Sequence, residues 1–189
     1  MNRSLLSLIK RCQKNDRKAQ FELYQNCFDH LMRTCHRFKR NREDAVALLN
    51  EGFLKVLLNL EKYNPQEEFY PWISTIMVRT AIDDFRKNKS YTQETDLKET
   101  DAELEHVTLN AAHEKALDQL TADDVKALLF ELPERERMVF TLFEFEGYRH
   151  QEIAEKLQVT ERSTKRYLQK AKTLLKVKIE TTTNLKKVM

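Results

Sequence analysis

Apolar residues recur at spacings of three and four along most of this chain, and few residues interrupt the pattern. Only 2 glycines and 3 prolines occur among 189 residues, so tight turns are few and helices can be long. No sustained alternation of apolar and polar residues, which would indicate a half-buried strand, is present. The sequence therefore predicts an all-α protein.

Charge divides the chain into three segments. Residues 1–90 and 125–189 each carry an excess of Lys and Arg, whereas residues 91–124 are strongly acidic. The middle segment has little apolar content and no clear periodicity, as expected for a solvated linker. We therefore predict two small helical domains, at 1–90 and 125–180, joined by a flexible acidic linker at 91–124 and followed by a disordered tail at 181–189.

Residues 146–172 have the pattern of two short helices joined by a tight turn. The apolar stripe of the first helix is Ile153, Ala154 and Leu157. The register then breaks, and Thr160 is placed to cap the second helix, because its hydroxyl can accept a hydrogen bond from a free amide of the first turn. The inward stripe of the second helix is Thr164, Leu168, Ala171 and Leu175. This arrangement is typical of a helix-turn-helix.

The outward face of the second helix is basic, and we predict that it enters the major groove of duplex DNA. There Arg and Lys can donate to guanine and Gln can pair with adenine. The candidate residues are Thr160, Arg162, Lys165, Arg166, Gln169, Lys170 and Lys172. An exposed basic helix is often only a solvated face, so this segment alone leaves both interpretations open.

The predicted first domain contains a helix from 42 to about 60 that is too apolar for one face. Its core stripe is Val46, Leu49, Phe53, Val56 and Leu60, and the apolar surface extends over Leu48, Leu54, Leu57 and Leu58. Such a helix needs a second partner, either in its own core or on another protein. The preceding helix has a predicted stripe of Phe21, Tyr24, Phe28, Leu31, Cys35 and Phe38.

Aromatic and basic residues lie together around a predicted helix from 71 to about 87. Thr75, Arg79 and Arg86 share its polar face, and the neighbouring aromatics are Tyr63, Phe69, Tyr70 and Trp72. Because any unstacked base can stack on an aromatic ring, the arrangement suits single-stranded nucleic acid. The alternative role for the aromatics is to anchor the core, which we favour for Trp72 but not for Tyr63 or Tyr70.

Several other classes of protein find no support in the sequence. The cysteines, Cys12, Cys27 and Cys35, have no CxxC spacing, so we expect a reducing, cytoplasmic setting without disulfides and without a metal site. No run of eighteen apolar residues occurs, so we expect no membrane insertion. No nucleophile with a partnered base and no Gly-rich phosphate loop is visible, so we expect neither an enzyme nor a cofactor.

Three motifs, in order, resemble those of bacterial RNA polymerase sigma factors of the small extracytoplasmic-function (ECF) type. They are NREDAVALLNEGFLKVLLNLEKYNP, FYPWISTIMVRTAIDDFRK and LPERERMVFTLFEFEGYRHQEIAEKLQVTERSTKRYLQKAK. The resemblance covers about residues 21–88 and 125–175. It implies a protein that binds core RNA polymerase, directs it to specific promoters and helps to open the −10 region. It also implies an anti-sigma factor as a further partner.

The resemblance also implies roles for individual residues. Core polymerase would bind Leu48, Leu49, Asn50, Glu51, Phe53 and Leu54, which would account for the surplus apolar surface. The −10 promoter element would contact Tyr63, Asn64, Tyr70, Trp72, Thr75, Arg79 and Arg86. The −35 element would contact the outward residues of the helix-turn-helix, and the acidic linker would run toward the RNA exit path.

The sequence departs from the family pattern at several positions. Gln158 replaces the glycine of the turn, and we expect a cost if that residue needs a positive φ. Arg162 and Arg166 replace Gly and Ser, which predicts an unusual −35 preference or stronger phosphate binding. Two other classes remain as alternatives: a helix-turn-helix transcriptional regulator with a helical sensing or dimerisation domain, and a helical nuclease or recombinase.

Overall fold

The computed structural model describes residues 3–89 and 121–188, and all regular elements in these ranges are helical. No strand occurs within them, which confirms the predicted all-α class. The chain divides into two compact units, Met1–Gln93 and Glu94–Met189. Residues 91–120 of the predicted acidic linker lie outside the described residues.

The first unit is a helical bundle. Its elements are α1 (Arg3–Gln13), α2 (Arg17–Phe38), α3 (Arg42–Leu58), a short 3-10 helix (Leu60–Lys62) and α4 (Phe69–Lys89). Helices α2, α3 and α4 pack on one another, and α1 packs against α2. The most deeply buried side chains come from all three long helices and include Leu23, Leu31, Leu49, Ile73 and Met77.

Side-chain caps define where α2 and α3 begin. The Asp16 carboxylate accepts hydrogen bonds from the amides of Lys18 and Ala19, at 3.0 and 3.1 Å. The Asn41 side chain accepts from the amide of Asp44 at 2.7 Å. Each cap satisfies amides that the helix itself leaves without partners. The short connections between these helices therefore allow neighbouring helices to pack side by side.

The buried stripe of α2 differs from the predicted one at its beginning. It consists of Ala19, Leu23, Cys27, Leu31, Met32, Thr34, Cys35 and Phe38. Phe21, predicted to begin this stripe, is instead 62% exposed. Phe21 and Tyr24 lie on an adjacent face, on which Tyr24 meets Phe53 of α3 edge-on with ring centroids 5.1 Å apart. The predicted helical spacing is correct, but in the first turns of α2 a neighbouring stripe of residues faces the core in place of Phe21 and Tyr24.

The three cysteines are free and buried in the first unit. Burial raises the pKa of Cys12 to about 11 and the pKa of Cys27 and of Cys35 to about 12. The thiols are therefore protonated at neutral pH, the form that is a poor nucleophile and a poor metal ligand. Within 3–89 and 121–188, no group of three or more His, Cys, Asp or Glu side chains could hold a metal ion.

The second unit packs three shorter segments around one long helix. Its elements are α5 (Ala122–Phe130), α6 (Glu134–Phe140), a π-helical turn (Thr141–Phe145), α7 (His150–Leu157) and α8 (Glu161–Val188). Helix α8 contacts α5, α6 and α7. Its buried partners include Val139, Leu142 and Ile153. The long helix is thus held by its neighbours along the face that it turns inward.

Both ends of the second unit extend beyond the predicted boundaries. Helix α5 begins at Ala122, three residues before the predicted boundary, because Thr121 and Asp124 form a reciprocal capping box. Helix α8 continues to Val188, whereas the sequence analysis predicts a disordered tail at 181–189. No glycine or proline interrupts residues 161–188, and the Lys, Leu and Glu residues there favour helix. The tail prediction is corrected accordingly.

The turn between α7 and α8 depends on a left-handed residue. Gln158 has φ 56° and ψ 47°, and its amide donates to carbonyls of the last turn of α7. The amide of Val159 then donates to the carbonyl of Ala154 at 3.1 Å. This geometry confirms the positive φ considered from the sequence, and it is one that glycine adopts without steric cost.

We predict that Gln158→Gly stabilises the second unit. A residue with a Cβ pays about 1–2 kcal/mol in the left-handed region, and glycine offsets part of the gain by its greater freedom when unfolded. We expect a net gain of about 1 kcal/mol in the free energy of unfolding. Thermal denaturation of the full chain measures it, with Gln158→Ala as the control that should give no gain. An unchanged or lower melting temperature for the glycine variant would contradict the geometry.

Candidate functional site

Helix α8 has the inward and outward faces that the sequence predicts. The hydroxyl of Thr160 accepts a hydrogen bond from the amide of Ser163 at 3.1 Å, which confirms the predicted cap. The buried residues of its first half are Thr164, Tyr167, Leu168 and Ala171. At 100° per residue, Arg162, Arg166 and Gln169 point to the opposite side. The guanidinium carbon of Arg166 lies over the ring of Tyr167, 5.5 Å from its centroid.

The outward face of α8 extends further than the sequence analysis proposed. Thr173 and Lys176 continue the line of Arg162, Arg166 and Gln169 at helical spacing, and both are partly exposed. The set of candidate DNA contacts drawn from the sequence ends at Lys172 and contains neither residue. The face therefore spans about four turns of α8.

Three lysines of the predicted −35 set pair with carboxylates of the same unit. Lys165 pairs with Glu161 at 2.6 Å on the surface of α8 itself. Lys170 reaches Glu136 of α6 at 2.9 Å, and Lys172 reaches Glu144 of the π-helical turn at 2.9 Å. The last two lysines therefore lie on the flanks of α8, turned toward the body of the unit rather than along the line of Arg162.

His150 joins the two helices of the helix-turn-helix, and the sequence analysis did not single it out. Its ring stacks on Phe143 with centroids 4.6 Å apart. Its Nδ1 lies 3.1 Å from the hydroxyl of Thr164, which itself donates to the carbonyl of Glu161 at 2.8 Å. The Thr164 hydroxyl therefore lies within hydrogen-bond distance of both the His150 ring and the Glu161 carbonyl, which links α7 to the first turn of α8. The sequence gives no signal for this contact because its partners are fixed only by the fold.

Helix α4 of the first unit brings four of the predicted −10 residues onto one face. Trp72, Thr75, Arg79 and Arg86 recur at spacings of three, four and seven, so they lie on one side of the helix. Thr75 and Arg79 are exposed, while Trp72 and Arg86 are partly exposed. The opposite side of α4 is core, with Ile73, Met77, Ala81 and Phe85 buried. The polar face is therefore held rigidly from behind.

The predicted role of Tyr63 is wrong, because its ring belongs to the core. Only 5% of Tyr63 is exposed, and its hydroxyl donates to the carbonyl of Glu67 at 2.6 Å. The ring packs against Phe69 and Trp72, with centroids 5.2 and 5.1 Å apart. It therefore shapes the loop instead of offering a stacking surface. Asn64 in the same loop is exposed and accepts from the amide of Gln66 at 3.0 Å.

Tyr70 keeps an accessible ring in the first turn of α4, on the side that faces α2 and not on the polar face. It is 39% exposed, and its ring lies 4.9 Å from that of His30 on α2. The Nε2 of His30 is 2.8 Å from the hydroxyl of Ser74, which fixes the imidazole against α4. Tyr70 is thus supported on one side and open on the other, as a base-stacking residue must be.

The predicted polymerase-binding set divides between core and surface. Leu48, Leu49 and Phe53 are 3%, 0% and 6% exposed, so these three assignments are wrong as direct contacts with a partner. They point toward α2 and α4, which supply the second partner that the sequence left open. Asn50 and Leu54 are exposed, and Glu51 is partly exposed.

The exposed side of α3 includes one apolar residue outside the predicted set. Leu58 is 73% exposed and Leu54 is 57% exposed, one helical turn apart. Together with Ala47 and Asn50 they form a stripe at spacings of three and four, which we call the α3 outer stripe. The hydroxyl of Tyr24 donates to Asn50 at 2.9 Å and holds that side chain at the edge of the stripe.

The chain belongs to the ECF sigma factor family, because the sequence profile of that family matches residues 2–181. Its function is therefore that of a sigma factor, which directs RNA polymerase to promoters. This confirms the resemblance drawn from the three motifs. Among the described residues, no helix is long and apolar enough to cross a membrane.

Several curated sigma factors are similar over most of their length. The RNA polymerase sigma-H factor of Pseudomonas aeruginosa is 28% identical over 158 residues, which cover 80% of this chain and 81% of that protein. The RNA polymerase sigma factor SigV of Bacillus subtilis is 28% identical over 142 residues, covering 75% and 80%. The ECF RNA polymerase sigma-E factor of Haemophilus influenzae is 26% identical over 157 residues, covering 79% and 81%.

Two solved structures are also similar. CnrH, in complex with the cytosolic domain of CnrY, gives a TM-score of 0.44 at 16% identity, covering 92% of this chain and 96% of that one. The sigma factor RpoE of Bartonella quintana, in complex with the anti-sigma factor NepR, gives a TM-score of 0.49 at 15% identity, covering 85% and 97%.

We predict that His150 titrates below its ordinary range. Burial, and then the positive charge of Lys165, lower the pKa of His150, with a further contribution from Lys172 and an opposing one from Glu161. The folded unit therefore binds fewer protons than the unfolded chain below about pH 6.5, so its stability falls as the pH is lowered through that range.

Residue-specific NMR of the imidazole protons measures this titration. The pKa of His30 is also lowered, chiefly by burial, so a bulk melting curve would combine both residues. We expect the His150 midpoint below that of the same residue in denatured chain, and a flatter stability profile between pH 5 and 7 for His150→Gln. A midpoint at or above about 6.5 would refute the prediction.

Proposed function

We propose that this sigma factor reads the −35 promoter element with α8 and captures the −10 element with α4, while the α3 outer stripe docks on core RNA polymerase. The observation that carries the proposal is that each unit exposes one basic helix face whose reverse side is core. Such a face can meet nucleic acid without the helix losing its packing. We further propose that the protein acts in the cytoplasm and contributes no catalytic chemistry or cofactor of its own.

The proposed −35 contacts are divided by chemistry. Arg162, Arg166 and Gln169 are the candidates for base edges, since arginine can donate to guanine and glutamine can pair with adenine. Lys165, Thr173 and Lys176 lie beside or beyond them on the exposed side of α8 and are candidates for phosphates. Two arginines supply planar donors, which supports direct reading of sequence in addition to charge attraction.

The proposed −10 contacts combine stacking with charge. Trp72 supplies ring surface and Arg79 and Arg86 supply charge on one side of α4, and Tyr70 supplies a further accessible ring in the first turn of the helix, away from that side. Stacking on aromatics is tolerant of sequence, and it becomes available only when bases leave the duplex. This favours capture of separated strands over binding of closed duplex, and it is the physical basis for assisting promoter opening.

The α3 outer stripe is the proposed polymerase contact. Leu54 and Leu58 are large apolar side chains left in water, and each would gain about 1–2 kcal/mol on burial in an interface. Asn50 and Glu51 add polar contacts beside them. We also propose an anti-sigma factor as a partner, as the family resemblance implies, because a regulator that covers this stripe would block access to polymerase.

Reconstitution with core RNA polymerase tests the whole proposal. We expect promoter-dependent run-off transcripts from genomic fragments, and none from core polymerase alone. Binding of duplex DNA by the free chain with the same sequence preference would instead favour an independent regulator. A complete lack of promoter-dependent transcript would eliminate the proposed promoter contacts.

Replacing the two exposed leucines should weaken binding to core polymerase. We expect Leu54→Ser and Leu58→Ser each to raise the Kd by about tenfold, because each loses about 1–2 kcal/mol of apolar burial. The melting temperature should change little, since both side chains are already in water. Val177→Ser is the matched control, because Val177 is 56% exposed on the other unit. Equal losses for all three variants would argue against the α3 outer stripe.

Truncating the base-reading residues should change sequence preference at single positions. We expect Arg166→Ala and Gln169→Ala each to cost about 1–3 kcal/mol on the preferred −35 base and much less on other bases at that position. Binding of the holoenzyme to a panel of single-base −35 variants measures the effect. A uniform loss over the whole panel would show that these residues contact only phosphate.

A further inference from the structure

Two ion pairs tie α8 to the segment that precedes the helix-turn-helix. The Nζ of Lys170 lies 2.9 Å from an Oε of Glu136, and the Nζ of Lys172 lies 2.9 Å from an Oε of Glu144. The side chain of Glu136 is only 5% exposed, while its lysine partner is 37% exposed. A carboxylate so far removed from water is held strongly by a hydrogen-bonded cation, which gives the pair a defined geometry.

The two lysines lie on opposite flanks of the buried stripe. Ala171, between them in sequence, is completely buried and faces the core. At 100° per residue, Lys170 lies to one side of Ala171 and Lys172 to the other. Glu136 and Glu144 both come from the segment of α6 and the π-helical turn. The helix is therefore anchored on both sides, so that rotation about its axis in either direction must stretch one pair.

Rotation of α8 has a direct consequence for base reading. The inward stripe contains the small residues Thr164 and Ala171 beside the larger Tyr167 and Leu168, and the two ion pairs oppose rotation in addition to this packing. A turn of about 20° moves a side chain at the helix surface, about 5–6 Å from the axis, by about 2 Å. Hydrogen bonds to base edges tolerate only a few tenths of an ångström. The orientation of Arg162, Arg166 and Gln169 therefore needs a fixed rotation of the helix.

We propose that Glu136 and Glu144 are positioning residues that fix the rotation of α8 and thereby set which −35 bases its outward face can read. Lys170 and Lys172 act as the anchors on the helix side and not as phosphate contacts. The proposal rests on the proposed −35 function of α8. All four residues then act on the sequence specificity of −35 binding. The two lysines, which the sequence suggests as DNA contacts, bind carboxylates of the protein instead.

The test compares base preference with salt dependence in reconstituted holoenzyme. Glu136→Gln and Glu144→Gln keep side-chain shape and remove the charge that holds each lysine. We expect each to lower the ratio between preferred and single-base-variant −35 affinities about three- to tenfold. The slope of log affinity against log salt should stay unchanged for Lys170→Gln and Lys172→Gln, whereas loss of a phosphate contact would reduce it by about one.

Controls separate positioning from charge and from folding. Glu134→Gln removes the same charge from the exposed side of α6 and should leave base preference intact. The double variant Glu136→Gln with Lys170→Gln should be no worse than the single ones, because both remove one interaction. Melting curves show that each variant is folded at the assay temperature. The half-exposed Glu144 supplies a second variant whose folding does not depend on a buried charge.

The outcomes are distinct. Altered base preference with unchanged salt slopes supports the proposal. Unchanged preference in both glutamate variants, or lower salt slopes with unchanged preference in the lysine variants, overturns it while leaving the −35 function intact. A wild-type holoenzyme with no −35 base preference at all would instead overturn the proposed function, and this inference with it.

Discussion

Both units depend on the same requirement, that a long helix is stable only when shorter neighbours cover its apolar stripe. An isolated helix is marginal in water, so α4 and α8 take their stability from packing. Helices α2 and α3 cover α4, while α5, α6 and α7 cover α8. The covered side is fixed by the core, and the remaining side is free to specialise. The two proposed nucleic-acid faces are therefore the outer surfaces of the two cores.

Several lysines near these outer faces are paired with carboxylates of their own unit. Carboxylates pair with Lys165, Lys170 and Lys172 in the second unit. In the first unit, Lys55 lies between Glu51 and Asp83, at 3.2 and 3.3 Å. A count of basic residues consequently overstates the charge offered to phosphate. In the proposed mode of −35 recognition, sequence reading therefore rests more on arginine, whose planar donors suit base edges, than on lysine.

Periodicity and local sequence are sufficient to predict the helices and the cap at Thr160, because these are local properties, whereas the family's turn glycine is what points to a positive φ at Gln158. Periodicity is insufficient where two apolar stripes compete for one core. Periodicity places Leu49 and Phe53 in the core stripe of α3, and only the family resemblance assigns them, with Leu48, to polymerase. Tyr63 is misassigned because its packing on Phe69 and Trp72 is fixed by the fold of the loop. His150 and Glu136 were missed since their partners on α8 are brought close only by tertiary packing.

The buried cysteines give the protein an internal reporter. All three occur in the first unit, as protonated thiols shielded from solvent. An alkylating reagent can therefore modify them only in molecules in which that bundle has opened, whatever the state of the second unit. Mass spectrometry of modified chains would count openings of the first unit alone, and would show whether bound polymerase keeps the bundle closed.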